Sequence, residues 1–190
     1  MHSAPRLHYV AAIVLISMWP AAAKAQNYKD QLSLQGITFD VSATPAGANT
    51  KLTITPSGLK AVNDPVTHDV NGRVVRAEVA DIDANGDPEI YVFTTSNGDQ
   101  RGGVIAYSTN NKKSMSQIFV PSIADDAKNN VGYVGGDESA VVENALVTRF
   151  KLHTGSGSEA RPTGKWRQLQ YKLRPGEAGW KMVLDKVVEF

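Results

Sequence analysis

The chain contains no cysteine, so disulfides, thiol nucleophiles and thiolate metal sites are excluded and packing must supply its stability. Only two of its four histidines, His68 and His153, follow residue 25, and they lie far apart without the His-Glu-x-x-His spacing of zinc proteases. Neither a Gly-x-Ser-x-Gly elbow nor a Gly-x-x-x-x-Gly-Lys phosphate loop is present. A glycosidase carboxylate pair stays open because such residues come from distant positions, but no feature selects one, and we predict that the protein is not an enzyme.

Long apolar runs are also missing, except at the N-terminus. There Arg6 and His8 precede an apolar run over residues 9–19, and Ala21–Ala25 offers an Ala-x-Ala cleavage site. The run is too short to span a bilayer comfortably, so residues 1–25 are predicted to be a cleaved secretory signal peptide, with an uncleaved membrane anchor as the alternative.

Charge of one sign is not in excess. Without residues 1–25 the chain keeps 18 basic and 19 acidic residues, because Arg6 and Lys24 are the charged residues that are removed. This balance gives no electrostatic argument for a nucleic acid or a membrane as partner. Residues 26–190 are enough for a single domain with a substantial core.

Helical periodicity is weak, and short runs rich in β-branched and aromatic residues recur instead, separated by glycine, proline and asparagine. We predict an all-β fold, an antiparallel β-sandwich of about eight strands with at most one or two short helices. Residues 122–130 are the best place for a short helix.

The segment from Asp81 to Asn111 is the most informative part of the chain. It contains an acidic turn, a strand-like run, a polar loop with three glycines and a second strand-like run. Such a loop between two strands is predicted to be an exposed hairpin tip, a common place for recognition. This pattern favours a binding protein over an enzyme.

The acidic turn spaces oxygen-bearing side chains at every second position. Calcium loops use this spacing, and Gly86 occupies the position of the bend in an EF-hand. Val92 stands where the closing glutamate of an EF-hand is expected, and strands flank the turn. We therefore favour an Asx-rich turn that caps its own amides, with a calcium site as the alternative. The candidate ligands are Asp81, Asp83, Asn85, Asp87 and Glu89.

The acidic turn and the segments that follow it resemble the periplasmic inhibitors of i-type (invertebrate) lysozyme. The resemblance rests on DIDANGDPEIYV, the polar loop and GGVIAYSTNNKKSMSQIFVP, followed by GYVGGDESAVVENALVTRF and RQLQYKLRPGEAGWKMVLDKV. It spans residues 72 to 190. It implies an exported β-sandwich protein of Gram-negative bacteria, located in the periplasm, with homodimers known in the family and no cofactor.

The resemblance also implies a mechanism, in which an exposed loop enters the substrate cleft of the lysozyme. In this chain Arg101 takes the place of a tyrosine in the family's loop, and Asp99 that of a serine. Arg101 would pair with a catalytic carboxylate of the cleft, and Asp99 would need a donor or would have to cap its own loop. The alternative function is an exported, calcium-stabilised β-module that binds another protein or a glycan. The predicted partner-binding residues are Ser96, Asn97, Gly98, Asp99, Gln100, Arg101, Gly102 and Gly103, with Tyr107 in a supporting role.

Overall fold

A computed structural model describes residues 27–177 and 179–190. The predicted signal peptide lies outside the described residues. The described part of the chain contains no helix long and apolar enough to cross a membrane.

Twelve strands make up most of the described part of the chain, together with two short 3₁₀ helices at Ile123–Asp125 and Gly157–Glu159. The strands are β1 Tyr28–Leu34, β2 Ile37–Ala46, β3 Asn49–Ser57, β4 Val66–Val70, β5 Gly72–Ala80, β6 Glu89–Ser96, β7 Gly102–Asn110, β8 Ser114–Phe119, β9 Glu138–Val142, β10 Ala145–Thr154, β11 Arg161–Gly176 and β12 Gly179–Glu189.

The strands form two sheets. The smaller sheet is a meander in the order β1-β2-β3-β4, and the larger has the order β5-β6-β7-β8-β12-β11-β10-β9. Neighbouring strands run antiparallel except β8 and β12, which pair in parallel over Ile118–Phe119 and Trp180–Lys181. The hairpin of β1 and β2 turns at Gln35-Gly36, where both residues have positive φ angles, as a type I′ turn requires.

Strand β6 is buried on both faces because the smaller sheet packs on the outer face of β5–β7. Ile90 and Val92 face the smaller sheet, where they join a core with Phe39 of β2. Tyr91 and Phe93 face the interior of the larger sheet, in a second core. The alternation of side chains along a strand therefore assigns consecutive residues of β6 to different cores.

The larger sheet curls until its edge strands β5 and β9 approach each other. Side chains bridge this seam: the Arg76 guanidinium donates to the Ser139 carbonyl, and the Val141 amide donates to the Glu78 carboxylate at 2.8 Å. Arg76 and Glu78 also form an ion pair with each other. Two side chains thus satisfy backbone groups that would otherwise remain unpaired at the strand edges.

The prediction of an all-β fold is confirmed. The structure has twelve strands rather than about eight, and its 3₁₀ helix at Ile123–Asp125 lies within the segment expected to hold a short helix. The additional strands are β1, β9 and β4. Strands β1 and β9 each form a hairpin with the strand that follows, where the sequence suggests a single strand. Strand β4 has a mostly polar sequence.

Because Ile90 is fully buried between the two sheets, the Ile90→Ala variant should lose about 2–5 kcal/mol of unfolding free energy. Val75 lies on the neighbouring strand with 41% of its surface exposed, so Val75→Ala should cost about 1 kcal/mol or less. Chemical denaturation of both variants measures the difference. Equal losses would contradict the arrangement of the two sheets around β6.

Candidate functional site

The loop between β6 and β7 projects from the end of the hairpin, with residues 97–101 exposed. Its own polar groups close it: the Ser96 amide donates to the Arg101 carbonyl at 2.8 Å, and the Arg101 amide donates to the Ser96 hydroxyl oxygen at 2.9 Å. The Asn97 amide group donates to the Ala48 carbonyl, at 2.9 Å, in the turn between β2 and β3. The loop is therefore anchored to the smaller sheet as well as to its own strands.

Asp99 and Arg101 form the charged part of this tip. The Asp99 carboxylate accepts hydrogen bonds from the Ser96 hydroxyl and the Arg101 amide, and it pairs with the Arg101 guanidinium at 3.1 Å. The Ser96 hydroxyl and the Arg101 amide hold the pKa of Asp99 below its usual value. Asp99 is thus an ionised cap of its own loop, and Arg101 presents its remaining guanidinium N–H groups outward.

A second segment, residues 132–137, braces the tip from the side. The Gly136 amide donates to the Gln100 carbonyl at 2.9 Å, and Asp137 accepts from the Gly102 amide at 2.8 Å. Tyr133 donates its hydroxyl to the same carboxylate at 2.5 Å, and Arg101 lies over the Tyr133 ring, 5.8 Å from its centroid. Burial and this hydrogen bond raise the pKa of Tyr133, which keeps it a donor. Sequence reasoning missed this segment as part of the site.

The structure does not bring every predicted residue to the tip. Gly102 and Gly103 are the first residues of β7 and lie at the base of the tip. Tyr107 pairs with Ile90 at the far end of the hairpin, is only 7% exposed, and shares a hydrogen bond of 2.8 Å with His68. The prediction that Tyr107 supports the tip is corrected by this register, because side chains so far along β7 are buried between the sheets.

A groove of about 530 Å³ follows the seam between β5 and β9, beside the tip. Two carboxylates that are adjacent in sequence, Asp137 and Glu138, line this groove. Both are engaged: Asp137 braces the tip, and Glu138 pairs with Arg149 at 2.7 Å.

The acidic turn lies at the other end of β6. It brings together carboxylate oxygens of Asp81, Asp83 and Glu89, all within 4.8 Å of one another. Asp81 also accepts hydrogen bonds from the Asn85 and Gly86 amides, both at 2.9 Å, so the Asx-turn prediction describes part of its role. These three residues are the ones that could hold a metal ion.

Two predicted ligands serve other contacts in the turn. Asp87 accepts hydrogen bonds from the amides of Asn111 and Lys112, at 2.6 and 2.9 Å, and so ties the acidic turn to the turn between β7 and β8. The Asn85 side chain donates to Asp83 at 3.1 Å and accepts from the Asp87 amide at 2.7 Å. The Asp87 carboxylate therefore binds the turn between β7 and β8 and is not part of the group formed by Asp81, Asp83 and Glu89.

Glu89 is fully buried. It accepts hydrogen bonds from the Ile82 amide at 3.0 Å and the Ser108 hydroxyl at 3.1 Å. Burial raises its pKa to about 8, and the charges of Asp83 and Asp81 add to this effect. Burial likewise raises the pKa of Asp83, with Asp81 contributing. Both shifts favour the protonated form, because the ionised carboxylates are partly buried and repel one another.

Comparison with family models, curated proteins and solved structures gives no match to this chain.

Gly135 and Gly136 allow a matched test of the brace. Both have positive φ angles, but a Cβ on Gly135 would lie 2.2 Å from the Asp99 carbonyl oxygen, whereas one on Gly136 would meet no atom within 4 Å. Gly135→Ala should therefore displace the tip, while Gly136→Ala should show only the backbone cost of about 1 kcal/mol. Hydrogen exchange of the Arg101 and Gly136 amides measures this. Similar exchange in both variants would show that the segment does not brace the loop.

Glu89 should make stability depend on pH. Its pKa is about 4.3 in an unfolded chain and higher in the folded state, so the folded state binds the proton more tightly. Its contribution to stability is complete below pH 4 and is lost as the pH rises towards 8. Glu89→Gln carries no charge; its oxygen can accept from the Ile82 amide while its NH2 group donates to the Ser108 hydroxyl oxygen, so this loss should disappear. Denaturation curves in chelator-containing buffer measure it; parallel pH profiles of the two proteins would contradict the assignment.

Proposed function

We propose that the protein is a periplasmic inhibitor of lysozyme, with i-type lysozyme as the first target, and that the tip at residues 96–101 enters the substrate cleft. The observation that carries the proposal is the tip itself: it is exposed, internally hydrogen-bonded and braced on two sides. A loop already held in one conformation loses little entropy on binding, which favours affinity. The resemblance of residues 72–190 to the inhibitors of i-type lysozyme supplies the target.

The charge arrangement of the tip fits a cleft that carries catalytic carboxyl groups. Arg101 is exposed and retains N–H groups beyond those facing Asp99, so it can donate to a carboxylate once water is expelled. Asp99 would be repelled in such a cleft if it pointed outward. It turns back onto Ser96 and the Arg101 amide, which lowers that penalty.

The state of the carboxylates beside the tip supports a binding protein over a glycosidase. Asp137 and Glu138 hold a hydroxyl, a backbone amide and a guanidinium, so both have structural partners. An enzyme acting on a glycan would need a carboxylic acid and a carboxylate free to face the glycosidic bond. The competing function is an exported β-module that binds another protein or a glycan. The two functions are distinguished by whether the protein inhibits a lysozyme.

Purified protein should inhibit lysis of peptidoglycan by i-type lysozyme, and assays with c-type and g-type enzymes establish the selectivity. Arg101→Ala should weaken inhibition by roughly tenfold or more, because it removes a charge-assisted hydrogen bond worth about 1.5–3 kcal/mol. Arg101→Lys keeps the charge but not the planar guanidinium, so its potency should lie between that of the parent protein and that of Arg101→Ala.

Lys113→Ala is the matched control. It removes one positive charge from an exposed position in the turn between β7 and β8, at the opposite end of β7 from the tip. Its inhibition should equal that of the parent protein. No inhibition of any lysozyme class at micromolar concentration would overturn the proposed function, and equal losses in the Arg101 and Lys113 variants would move the interface away from the tip.

A further inference from the structure

Three carboxylates meet where β5 leads into β6, and one of them, Glu89, is fully buried. We propose that Asp81, Asp83 and Glu89 form a calcium site. The inference concerns the base of the β6–β7 hairpin and does not depend on what the tip binds.

No positive side chain neutralises this cluster within the described ranges 27–177 and 179–190. None of the ion pairs there involves Asp81, Asp83 or Glu89. Lys112 is the nearby candidate, but its ammonium group donates to the Gln35 carbonyl at 3.0 Å, while the Gln35 side chain donates to Asp81 at 2.7 Å. A buried carboxylate is tolerated when it is paired, binds a metal ion or carries a proton. In its ionised state this cluster has no counter-charge among the described residues.

A buried hydroxyl beside the cluster is an independent sign of a ligand. Tyr91 is fully buried, and its hydroxyl has no hydrogen-bond partner among residues 27–177 and 179–190. It follows Glu89 by two residues, so both side chains leave β6 on the same face. Burial raises the pKa of this hydroxyl, and the charges of Glu89, Asp83 and Asp81 add to the effect. A hydrated cation between the carboxylates would give the hydroxyl a water molecule as its partner.

The donor set selects the class of metal. It consists of carboxylate oxygens, and the chain contains no cysteine, so soft metals are disfavoured. Calcium accepts about six to eight oxygens in flexible geometry, whereas magnesium demands a nearly ideal octahedron and gives up its water reluctantly, so three carboxylates completed by water favour calcium. The oxygens here lie within 4.8 Å of one another. Asp81 and Asp83 are partly exposed, so the ion would reach Glu89 from the solvent side.

Calcium titration of the chelator-treated protein tests the proposal. Isothermal calorimetry should show one site, and calcium at about a hundred times Kd should raise Tm by roughly 5–10 °C. Magnesium should bind at least about tenfold more weakly, since it demands a tighter shell of ligands. Absence of a calorimetric signal and of a Tm shift at millimolar calcium would overturn the proposal, as would equal responses to the two ions.

Asp83→Asn removes the charge of one ligand but keeps an oxygen that can accept the hydrogen bond from the Asn85 amide. This variant should bind calcium about tenfold or more weakly than the parent protein. Asp87→Asn is the matched control in the same turn, because its carboxylate contacts Asn111 and Lys112 instead. It should keep the calcium response of the parent even if its Tm is lower. If Asp87→Asn loses the response and Asp83→Asn keeps it, the assignment is wrong.

Terbium, which replaces calcium, reports on the position of Tyr91. Excitation of tyrosine should sensitise terbium emission in the parent protein, and excess calcium should quench it by displacement. Tyr91→Phe should reduce this emission while leaving calcium affinity within about threefold, because the hydroxyl acts through water and not as a direct ligand. Unchanged emission in the Tyr91→Phe variant would contradict the placement of the ion beside this residue. Inhibition of lysozyme is not a readout in any of these assays, so this site and the proposed function can fail separately.

Discussion

Burial of β6 on both faces determines how the rest of the molecule can be arranged. Its residues alternate between a core shared with the smaller sheet and a core inside the larger one. A strand in this position cannot shift its register, since a slip of one residue would exchange the contents of the two cores. The antiparallel pairing with β7 inherits this constraint, so the positions of both hairpin ends are fixed relative to the body of the protein.

The polar residues of the hairpin collect at those ends because its middle is fully buried. At one end the exposed loop compensates its own charges, with Asp99 facing Ser96 and Arg101. At the other end Glu89 is drawn into the protein by its place on β6, and it meets Asp81 and Asp83. The first arrangement is electrostatically satisfied and the second is not. On that difference rest the two proposals, a protein partner for the tip and a cation for the acidic turn.

Sequence patterns predicted the strands best where turns contain conventional turn residues. The boundaries of β6 and β7 follow from Asp81–Pro88 and from the polar loop. The hairpin of β9 and β10 was harder to predict, because its turn uses Glu143, a residue that rarely adopts a positive φ, here 53°. Strand β4, with its mostly polar sequence, gave no apolar run to detect, since it lies at the edge of the smaller sheet.

In the candidate site, sequence patterns indicated the local features and missed the contact between distant segments. The tip and the acidic turn are contiguous in sequence, so their residue types were sufficient to indicate them. The brace from Tyr133, Gly135 and Asp137 joins segments about 35 residues apart, and no local pattern specifies such a contact. The position of Tyr107 was within reach of sequence reasoning. In an antiparallel hairpin with its tip near Asp99, residue 107 must pair with residue 90, at the far end from the tip.

The two ends of β6 can influence each other only through the packed strand. Seven residue steps separate Glu89 from Ser96, a distance of roughly 23 Å in an extended strand. This exceeds the Debye length of about 8 Å at physiological ionic strength, so a charge gained at the acidic turn changes the field at Arg101 very little. A cation at Glu89 would therefore act on the tip only by holding the base of the hairpin in place. Since β6 is already fixed by two cores, that influence is small, so the tip and the acidic turn can change independently in sequence and in their proposed roles.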